Sequence, residues 1–383
     1  MFADFTKANP GIAVQVQLGG PSWSSEQEKL TASIAGGESP NCYEIGWGAW
    51  YAFQNALLDL TTYMSRDKVA PADVFQAVAL DYYTQNGKLW ALPVVGVSVD
   101  AMAYNQDLLE GAGLPVPPTD PNDATWTMDR FLAYVQKLTK ADQLQFGFGG
   151  QTGGGDVSGG GMSRSSYYGQ QPWDDQAKKA QYDQPKALQG QQFFKDLGDK
   201  YRVQPTAAQK TAIGAKGDVF TSGKIGLQVV YGYIPKLNFC WGIAALPHEG
   251  GENMSGRQNA AALQMLQTKQ ADQTWTLFRW LMQPENAARY PLSAKYAVSP
   301  VKGASAQAMA AFTSQVGVDP IAYANMAQHA HFESNGMYRY SGWTKCNAWF
   351  AKNFPLFISG QLSASDYGKA ATDYINANLI QVS

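Results

Sequence analysis

Two glycine-containing stretches come close to nucleotide-binding motifs. Gly223-Lys224 resembles the end of a phosphate-binding loop, but Asp218 stands at the first glycine position and Ile225 at the magnesium-binding Ser/Thr position. Gly147-Phe-Gly149 begins a dinucleotide-binding fingerprint that fails at Thr152, and no acidic residue stands where a ribose would be held. The sequence therefore predicts neither a phosphate loop nor a dinucleotide site.

The residues that could bind metal or act as nucleophiles also form no complete pattern. His248-Glu249 lacks the second histidine of a zinc-protease helix, and neither a GxSxG motif nor a local Cys/His pairing occurs. His329, His331 and Glu333 could chelate a metal, but an HxH in a polar stretch is more often exposed to solvent. We predict no catalytic residues, no metal and no cofactor.

The composition points to binding through aromatic rings. The 383 residues carry 29 basic and 31 acidic side chains, and this balance provides no positive field for nucleic acid. The chain has 11 Trp and 20 Tyr but only 3 His. Flat rings suit the apolar faces of sugars, although most of them must fill the cores of the two domains expected for this length. Three distant cysteines, Cys42, Cys240 and Cys346, leave an odd thiol if two pair and do not fix the compartment.

The elements that must position any site alternate between strands and helices. Apolar residues at Ile12, Val14, Val16 and Leu18 predict a strand after the Asn9-Pro-Gly turn. Further strands are predicted over 42–45, 88–102 and 224–230, and helices over 24–35, 104–110, 187–201, 275–282, 363–380 and after Thr127 as N-cap. This alternation predicts an α/β architecture with mostly parallel sheets. The glycine-rich stretch 149–184 is long enough to be a functional loop.

The order and spacing of several segments resemble the extracellular solute-binding proteins of ABC transporters, carbohydrate class, a family that includes maltodextrin-binding receptors. The segments are Phe5-Thr-Lys-Ala-Asn-Pro-Gly-Ile12, Glu28-Lys-Leu-Thr-Ala-Ser-Ile-Ala-Gly-Gly37, Ala56-Leu-Leu-Asp-Leu60, Tyr104-Asn-Gln-Asp-Leu-Leu109, Thr125-Trp-Thr127, Phe220-Thr-Ser-Gly-Lys-Ile-Gly-Leu227, Trp241-Gly-Ile-Ala-Ala-Leu-Pro247 and Phe278-Arg-Trp-Leu-Met-Gln-Pro-Glu285. One departure is Asn41, where family members usually carry Asp.

The resemblance implies a two-lobe periplasmic-binding-protein-like fold, with a hinge that the chain crosses three times and a ligand cleft between the lobes. We place the N-terminal lobe at 1–103 plus 258–303 and the C-terminal lobe at 104–257 plus 304–383. Family members begin with a signal peptide or lipoprotein leader, then a strand and a helix. We therefore expect a leader and one further strand before the helix at Phe2–Phe5 in the natural protein.

The implied function is that of a receptor that captures a sugar or oligosaccharide and delivers it to the permease subunits of an ABC importer. It would be a monomer without enzymatic activity, exported as a periplasmic protein or a cell-surface lipoprotein, with the membrane contacted only through an N-terminal anchor. Two alternatives stay open at this point. One is a glycoside hydrolase, which needs two carboxylates about 5 to 9.5 Å apart, and the other is a receptor for a polyol or glycerol phosphate.

The predicted ligand-binding residues are aromatic rings and polar groups that follow strands or lie beside the crossings. Tyr233 and Trp343 match stacking positions of the family, while Trp126, Trp275 and Trp280 have helical spacing and are assigned to packing. One of Trp47 and Trp50 is expected to be core, and Arg257 could pair with a carboxylate instead of the ligand. The full set is Trp23, Gln27, Trp47, Trp50, Asp100, Tyr167, Tyr231, Tyr233, Arg257, Asn259 and Trp343.

Overall fold

The computed structural model describes most of the chain and divides it into two compact units. The first comprises residues 1–97 and 260–308, and the second comprises residues 98–259 and 309–383. The described residues are 1–17, 23–44, 49–151, 164–172, 174, 179–214, 218–231, 237–250, 253, 258–293, 296–329 and 343–378. The chain passes between the units inside a strand, inside a second strand and inside a helix, so neither unit is a continuous stretch of sequence.

The elements alternate along the chain, as the sequence predicts. The described strands are β1 (Cys42–Glu44), β2 (Thr84–Gln85), β3 (Lys88–Leu89), β4 (Leu92–Asn105), β5 (Phe146–Gln151), β6 (Ile225–Tyr231), β7 (Trp241–Ala244) and β8 (Gln258–Met265). The described helices are α1 (Phe2–Ala8), α2 (Trp23–Ala35), α3 (Leu60–Arg66), α4 (Pro71–Val74), α5 (Ala77–Tyr83), α6 (Gln106–Gly111), α7 (Met128–Leu138), α8 (Pro185–Asp199), α9 (Ala207–Ala212), α10 (Ala271–Leu281), α11 (Pro284–Ser293), α12 (Ser305–Val316), α13 (Ile321–His329), α14 (Trp343–Ile358) and α15 (Ala364–Asn378).

The first unit is organised around β1 and the part of β8 that belongs to it. The two strands are antiparallel, with Cys42 opposite Met265 and Glu44 opposite Leu263. Helix α10 packs its apolar side inward, where Trp275 is 1% exposed. The indole N–H of Trp275 donates to the Asp67 carboxylate at 2.8 Å, so this buried ring satisfies its polar atom. The sequence-based assignment of Trp275 to packing agrees with this position.

The second unit contains a sheet in which β4 pairs with both β6 and β7, and β6 pairs with β5. Helix α7 covers β5 and begins at Thr127, whose side-chain oxygen accepts the Arg130 N–H at 3.2 Å, as predicted for an N-cap. The helix approaches the strand so closely that a Cβ at Gly147 would lie 1.9 Å from the Val135 carbonyl oxygen. Gly147 therefore serves helix–strand packing, which accounts for a glycine at this position.

A cluster of buried residues in the same unit joins α14 and α15. Phe357 and Tyr367 stack with ring centroids 5.0 Å apart, and Phe350 packs on Tyr182 at 5.6 Å. Cys346 is fully buried in this cluster as a free thiol. Burial raises the pKa of the Cys346 thiol to about 11, so this cysteine acts as a small apolar side chain.

The structure corrects three sequence-based expectations about the elements. The sheets are not mostly parallel, because four described strand pairs are antiparallel (β1–β8, β2–β3, β4–β6 and β4–β7), whereas β5 and β6 run parallel. Residues 12–17 are not part of a strand, because none of them forms a ladder with a described strand. Tyr104 belongs to β4 rather than to a helix, because Asn105 caps α6 by accepting the Leu108 N–H at 3.1 Å. The compact units divide at 97/98, 259/260 and 308/309, and the lobe boundaries at 103/104, 257/258 and 303/304 stay predictions.

Candidate functional site

Four of the predicted ligand-binding residues have side chains that the structure describes, namely Gln27, Trp50, Asp100 and Tyr167. Trp23 and Trp343 begin α2 and α14, Tyr231 ends β6 and Asn259 lies in β8, but only their backbone positions are described. Trp47, Tyr233 and Arg257 lie outside the described residues. The roles of these seven residues stay predictions.

Two of the four lie in the cores of their units. Trp50 is 1% exposed and stacks on Trp90 with ring centroids 6.5 Å apart. Tyr167 is 4% exposed and contacts Phe194 edge to face at 4.9 Å. A ring buried to this degree has no face left for a ligand, so their positions favour packing for both. The sequence predicts a functional loop over 149–184. Within that stretch, residues 164–169 form a largely buried turn that contains Tyr167.

Gln27 lies in the first turns of α2, beside the carboxyl end of β1. The side chain of Gln27 is partly buried, and the neighbouring Glu26 carbonyl accepts a hydrogen bond from the Tyr43 hydroxyl at 3.5 Å. This contact joins α2 to β1, so the start of the helix and the end of the strand share one edge of the first unit. Polar groups at the carboxyl end of a strand form the usual ligand edge of an α/β sheet.

Glu44 ends β1 at this edge and has an unusual protonation equilibrium. Desolvation, together with the nearby Glu26 carboxylate, raises the pKa of Glu44 to about 7 against a hydrogen bond from Tyr290, which lowers it. Burial is the main cause that raises the pKa of the Tyr290 phenol, and the contact with Glu44 raises it further. Near neutral pH, Glu44 can thus donate or accept a hydrogen bond, and a hydroxyl can pair with it in either role.

We expect Glu44→Gln to change how stability depends on pH. The folded chain holds the Glu44 proton up to a pKa of about 7, whereas a carboxyl in the unfolded chain releases it near 4.5. This group therefore stabilises the fold at low pH and loses that contribution as pH rises through the interval between these values. The amide variant removes this titration and should be more stable than the unsubstituted chain at pH 8. The gain in the free energy of unfolding should be smaller than the pKa difference implies, because the side chain is partly exposed and water screens its charge.

Urea unfolding at pH 5 and pH 8 measures this difference. Glu28→Gln, at an exposed position on α2, is the matched control for loss of one carboxylate. An unchanged slope of stability against pH in Glu44→Gln would show that Glu44 does not titrate as described.

In the second unit, Asp100 lies in β4 opposite Tyr231 of β6 and is 1% exposed. Tyr323 of α13 lies near it, and burial, followed by the Asp100 carboxylate, raises the pKa of the Tyr323 phenol. A buried carboxylate requires compensating hydrogen bonds, so we expect Asp100 to be hydrogen-bonded to polar neighbours within the sheet. Its placement next to Tyr231 brings two of the predicted residues together in one unit.

None of the His, Cys, Asp and Glu side chains among the described residues form a group of three or more that could hold a metal ion, and His331 and Glu333 lie outside the described residues. No described helix is both long enough and apolar enough to cross a bilayer. Cys42, Cys240 and Cys346 are free thiols.

Sequence reasoning missed Glu44, Tyr290 and Tyr323. A signal for Glu44 was present, because an acidic residue stood inside a stretch predicted to be a short buried strand. Tyr290 lies more than 240 residues from Glu44 and Tyr323 more than 220 residues from Asp100, so no local pattern links either pair.

Comparison of the sequence with known protein families identifies a matching family. The model of the bacterial extracellular solute-binding proteins matches residues 1–288. A binding protein of Brucella abortus is 24% identical over 306 residues, which cover 75% of this chain and 68% of that protein.

Two solved structures share the fold across nearly the whole chain. The ABC substrate-binding protein Lmo0181 of Listeria monocytogenes, in complex with cycloalternan, superposes with a TM-score of 0.79 at 19% identity and covers 98% of this chain and 94% of that one. Maltose-bound MalE3 of T. maritima gives 0.75 at 17% identity with coverage of 98% and 94%. These likenesses confirm the predicted α/β fold of the two-lobe periplasmic-binding-protein type. With three quarters of its length matched by the family model, the chain belongs to the bacterial extracellular solute-binding proteins.

Proposed function

We propose that this solute-binding protein captures a sugar or oligosaccharide and delivers it to the permease subunits of an ABC importer. The observation that carries the proposal is the family match over residues 1–288, joined to structural neighbours that are bound to cycloalternan and maltose. The aromatic composition supports this ligand class, because indole and phenol rings pack on the apolar faces of sugars.

The proposed ligand contacts combine aromatic rings with polar groups. Tyr233 and Trp343 would stack on the sugar, and Trp23, Trp47 and Tyr231 would add ring surface. Gln27, Asp100, Arg257 and Asn259 would bond its hydroxyls, and the structure adds Glu44 to this set because it shares the edge of Gln27. Trp50 and Tyr167 are left out because both are buried in cores.

The remaining parts of the proposal concern location and assembly. We infer that the protein acts outside the cytoplasm, as a free periplasmic protein or as a lipoprotein held at the membrane by an N-terminal anchor. It binds as a monomer and performs no chemistry on its ligand. The family match supports an extracellular place of action.

A ligand screen tests the proposal directly. Mono-, di- and oligosaccharides, polyols and glycerol phosphate are each added in a thermal-shift assay, and positives are titrated by calorimetry. A sugar at 100 times its Kd should stabilise the fold by about 2.7 kcal/mol. Stabilisation by glycerol phosphate or a polyol alone would replace the sugar proposal with that alternative, and stabilisation by none of the panel would contradict both.

The glycoside hydrolase alternative has one observation in its favour: burial, followed by the nearby Glu26 carboxylate, raises the pKa of Glu44 to about 7, where a carboxyl can act as an acid near neutral pH. The family match weighs against it because the family binds solutes for transport. Incubation of the protein with each stabilising oligosaccharide should release no new reducing ends. Release that is abolished by Glu44→Gln would establish hydrolysis instead.

A further inference from the structure

The segment formed by residues 245–250 of the second unit is held between two neighbouring stretches of chain. On one side, the His248 backbone N–H donates to the Trp126 carbonyl at 3.1 Å. On the other side, the Glu249 N–H donates to the Tyr167 carbonyl at 2.8 Å. These bonds fasten the segment to the loop before α7 and to the buried turn that contains Tyr167.

The Glu249 side chain joins the same segment to the start of α7. One of its carboxylate oxygens accepts the Met128 N–H at 3.0 Å, at the first residue of the helix. A carboxylate at this place satisfies an amide that has no partner within the helix and interacts favourably with the helix dipole. The closed position of the segment therefore also stabilises the first turn of α7.

The His248 imidazole is buried within this framework. The residue is 5% exposed, and neither ring nitrogen makes a hydrogen bond of ordinary geometry to a described residue. Burial is the main influence on the ring and lowers its pKa below the usual 6.5, against smaller opposing effects of Glu249, the Gly250 backbone and Asp123. The ring is thus neutral at pH 7 in the folded chain, and a proton added in place would put a charge in a poorly solvated position.

Two carboxylates lie near enough to influence the ring, but both already accept other hydrogen bonds. Asp123 accepts the Thr125 N–H at 2.9 Å and the Thr125 hydroxyl at 2.7 Å, and Glu249 caps α7. An imidazolium would compete with these donors for the same oxygens. The ionisable groups around the segment are, by element, Glu249 in the segment itself, Asp123 in the loop before α7, Asp129 and Arg130 in α7, Tyr168 in the buried turn and Lys186 in α8.

We propose that His248 is a pH-sensitive latch, which keeps residues 245–250 closed while its ring is neutral and opens them when the ring is protonated in a mildly acidic medium. Opening separates Glu249 from the Met128 amide and so loosens the first turn of α7. The segment precedes by only a few residues β8, the strand in which the chain passes from the second unit to the first. The latch makes the conformation of the second unit depend on the surrounding pH, whichever solute the protein captures.

The direction of the effect follows from two protonation equilibria. In the open segment the ring takes the ordinary pKa of 6.5, and in the closed segment its pKa is lower. The open form therefore binds the proton more tightly, so the closed form is most stable above pH 6.5 and loses stability as pH falls below that value. At pH 5 the opening equilibrium can increase by at most about thirtyfold, the factor set by protonation of the open-state ring.

Hydrogen exchange of the full chain at pH 7.5 and pH 5 measures the opening. After correction for the intrinsic pH dependence of exchange, peptides that contain the His248, Glu249 and Met128 amides should exchange about three- to thirtyfold faster at pH 5. Peptides from β4 should not change. His248→Phe keeps a buried ring that cannot titrate, so the increase should disappear. His248→Gln also removes the titration and replaces it if the phenylalanine variant does not fold.

Two further measurements assign the response to the imidazole. The C2 proton of the His248 ring, identified in NMR spectra by its loss in the variants, should titrate below pH 6.5. Glu249→Gln should weaken the cap of α7 at both pH values and keep the pH-dependent increase, because His248 remains. An increase that persists in both His248 variants, or that vanishes in Glu249→Gln, would assign the response to another group and overturn the proposal. A ring that titrates at or above pH 6.5, or equal exchange of residues 245–250 at the two pH values, would overturn it as well.

Discussion

We expect Trp126→Ala to destabilise the second unit by about 3–5 kcal/mol, the range for truncating a buried tryptophan. Trp126 is 1% exposed, its indole N–H donates to the Ala245 carbonyl at 3.0 Å, and its ring contacts Tyr134 edge to face at 5.2 Å. Alanine removes the ring from the core and leaves the Ala245 oxygen without this donor. Urea unfolding, followed by fluorescence and circular dichroism, measures the loss.

Two variants make this result specific. Trp126→Phe keeps much of the packing but removes the indole donor, so its loss should be smaller, at about 1–3 kcal/mol for one unsatisfied buried acceptor. Val116→Ala, at a position 52% exposed in the same unit, should change stability by less than about 0.5 kcal/mol. Equal stability of Trp126→Ala and Val116→Ala would contradict the packing described here.

The second large effect concerns ligand affinity. Tyr233→Ala and Trp343→Ala should each weaken binding of the sugar found by screening about ten- to a hundredfold, because loss of a stacking ring costs roughly 1–3 kcal/mol. Melting temperatures without ligand should change little if both rings face the ligand. Calorimetric titration and thermal melting of the same preparations measure the two quantities together.

Tyr167→Ala is the matched control, since it removes a tyrosine from the core of the same unit. We expect it to lower the melting temperature while the remaining folded protein keeps its affinity. Tyr233→Phe should retain most of the affinity because the ring is kept. If Tyr233→Ala behaves like Tyr167→Ala, with lost stability and unchanged affinity, Tyr233 is a core residue and the stacking role is wrong.

Local signals in the sequence were sufficient for elements and caps. Thr127 as an N-cap and Trp275 as a core residue of its helix are found as predicted, because capping and helical spacing act over a few residues; Trp126 is also in the core, although it precedes the helix that begins after Thr127. The sheet pairing was not predictable in this way. Strand β4 runs antiparallel to β6 and β7, which lie more than 100 residues further along the sequence, so no local pattern encodes this pairing.

The candidate site, like the fold, could be predicted from the sequence only in part. The sequence placed Gln27 and the end of β1 at a ligand edge, but it also placed Trp50 and Tyr167 there, and both lie in cores. Aromatic residues at strand ends and in glycine-rich stretches look alike whether they line a ligand or a core. Only tertiary packing, such as the Trp50–Trp90 stack, separates the two roles.

The discontinuity of the first unit has a consequence for how the chain acquires its structure during synthesis. Strand β1 finds its partner β8 roughly 220 residues later, and Val97 bridges to Val298 only after most of the second unit has been made. Pairings at such separations slow folding, because a long loop must close before the contact forms. The first unit therefore stays incomplete while the ribosome is still adding residues, which leaves a polypeptide open to chaperones and able to be threaded through a narrow channel before it folds.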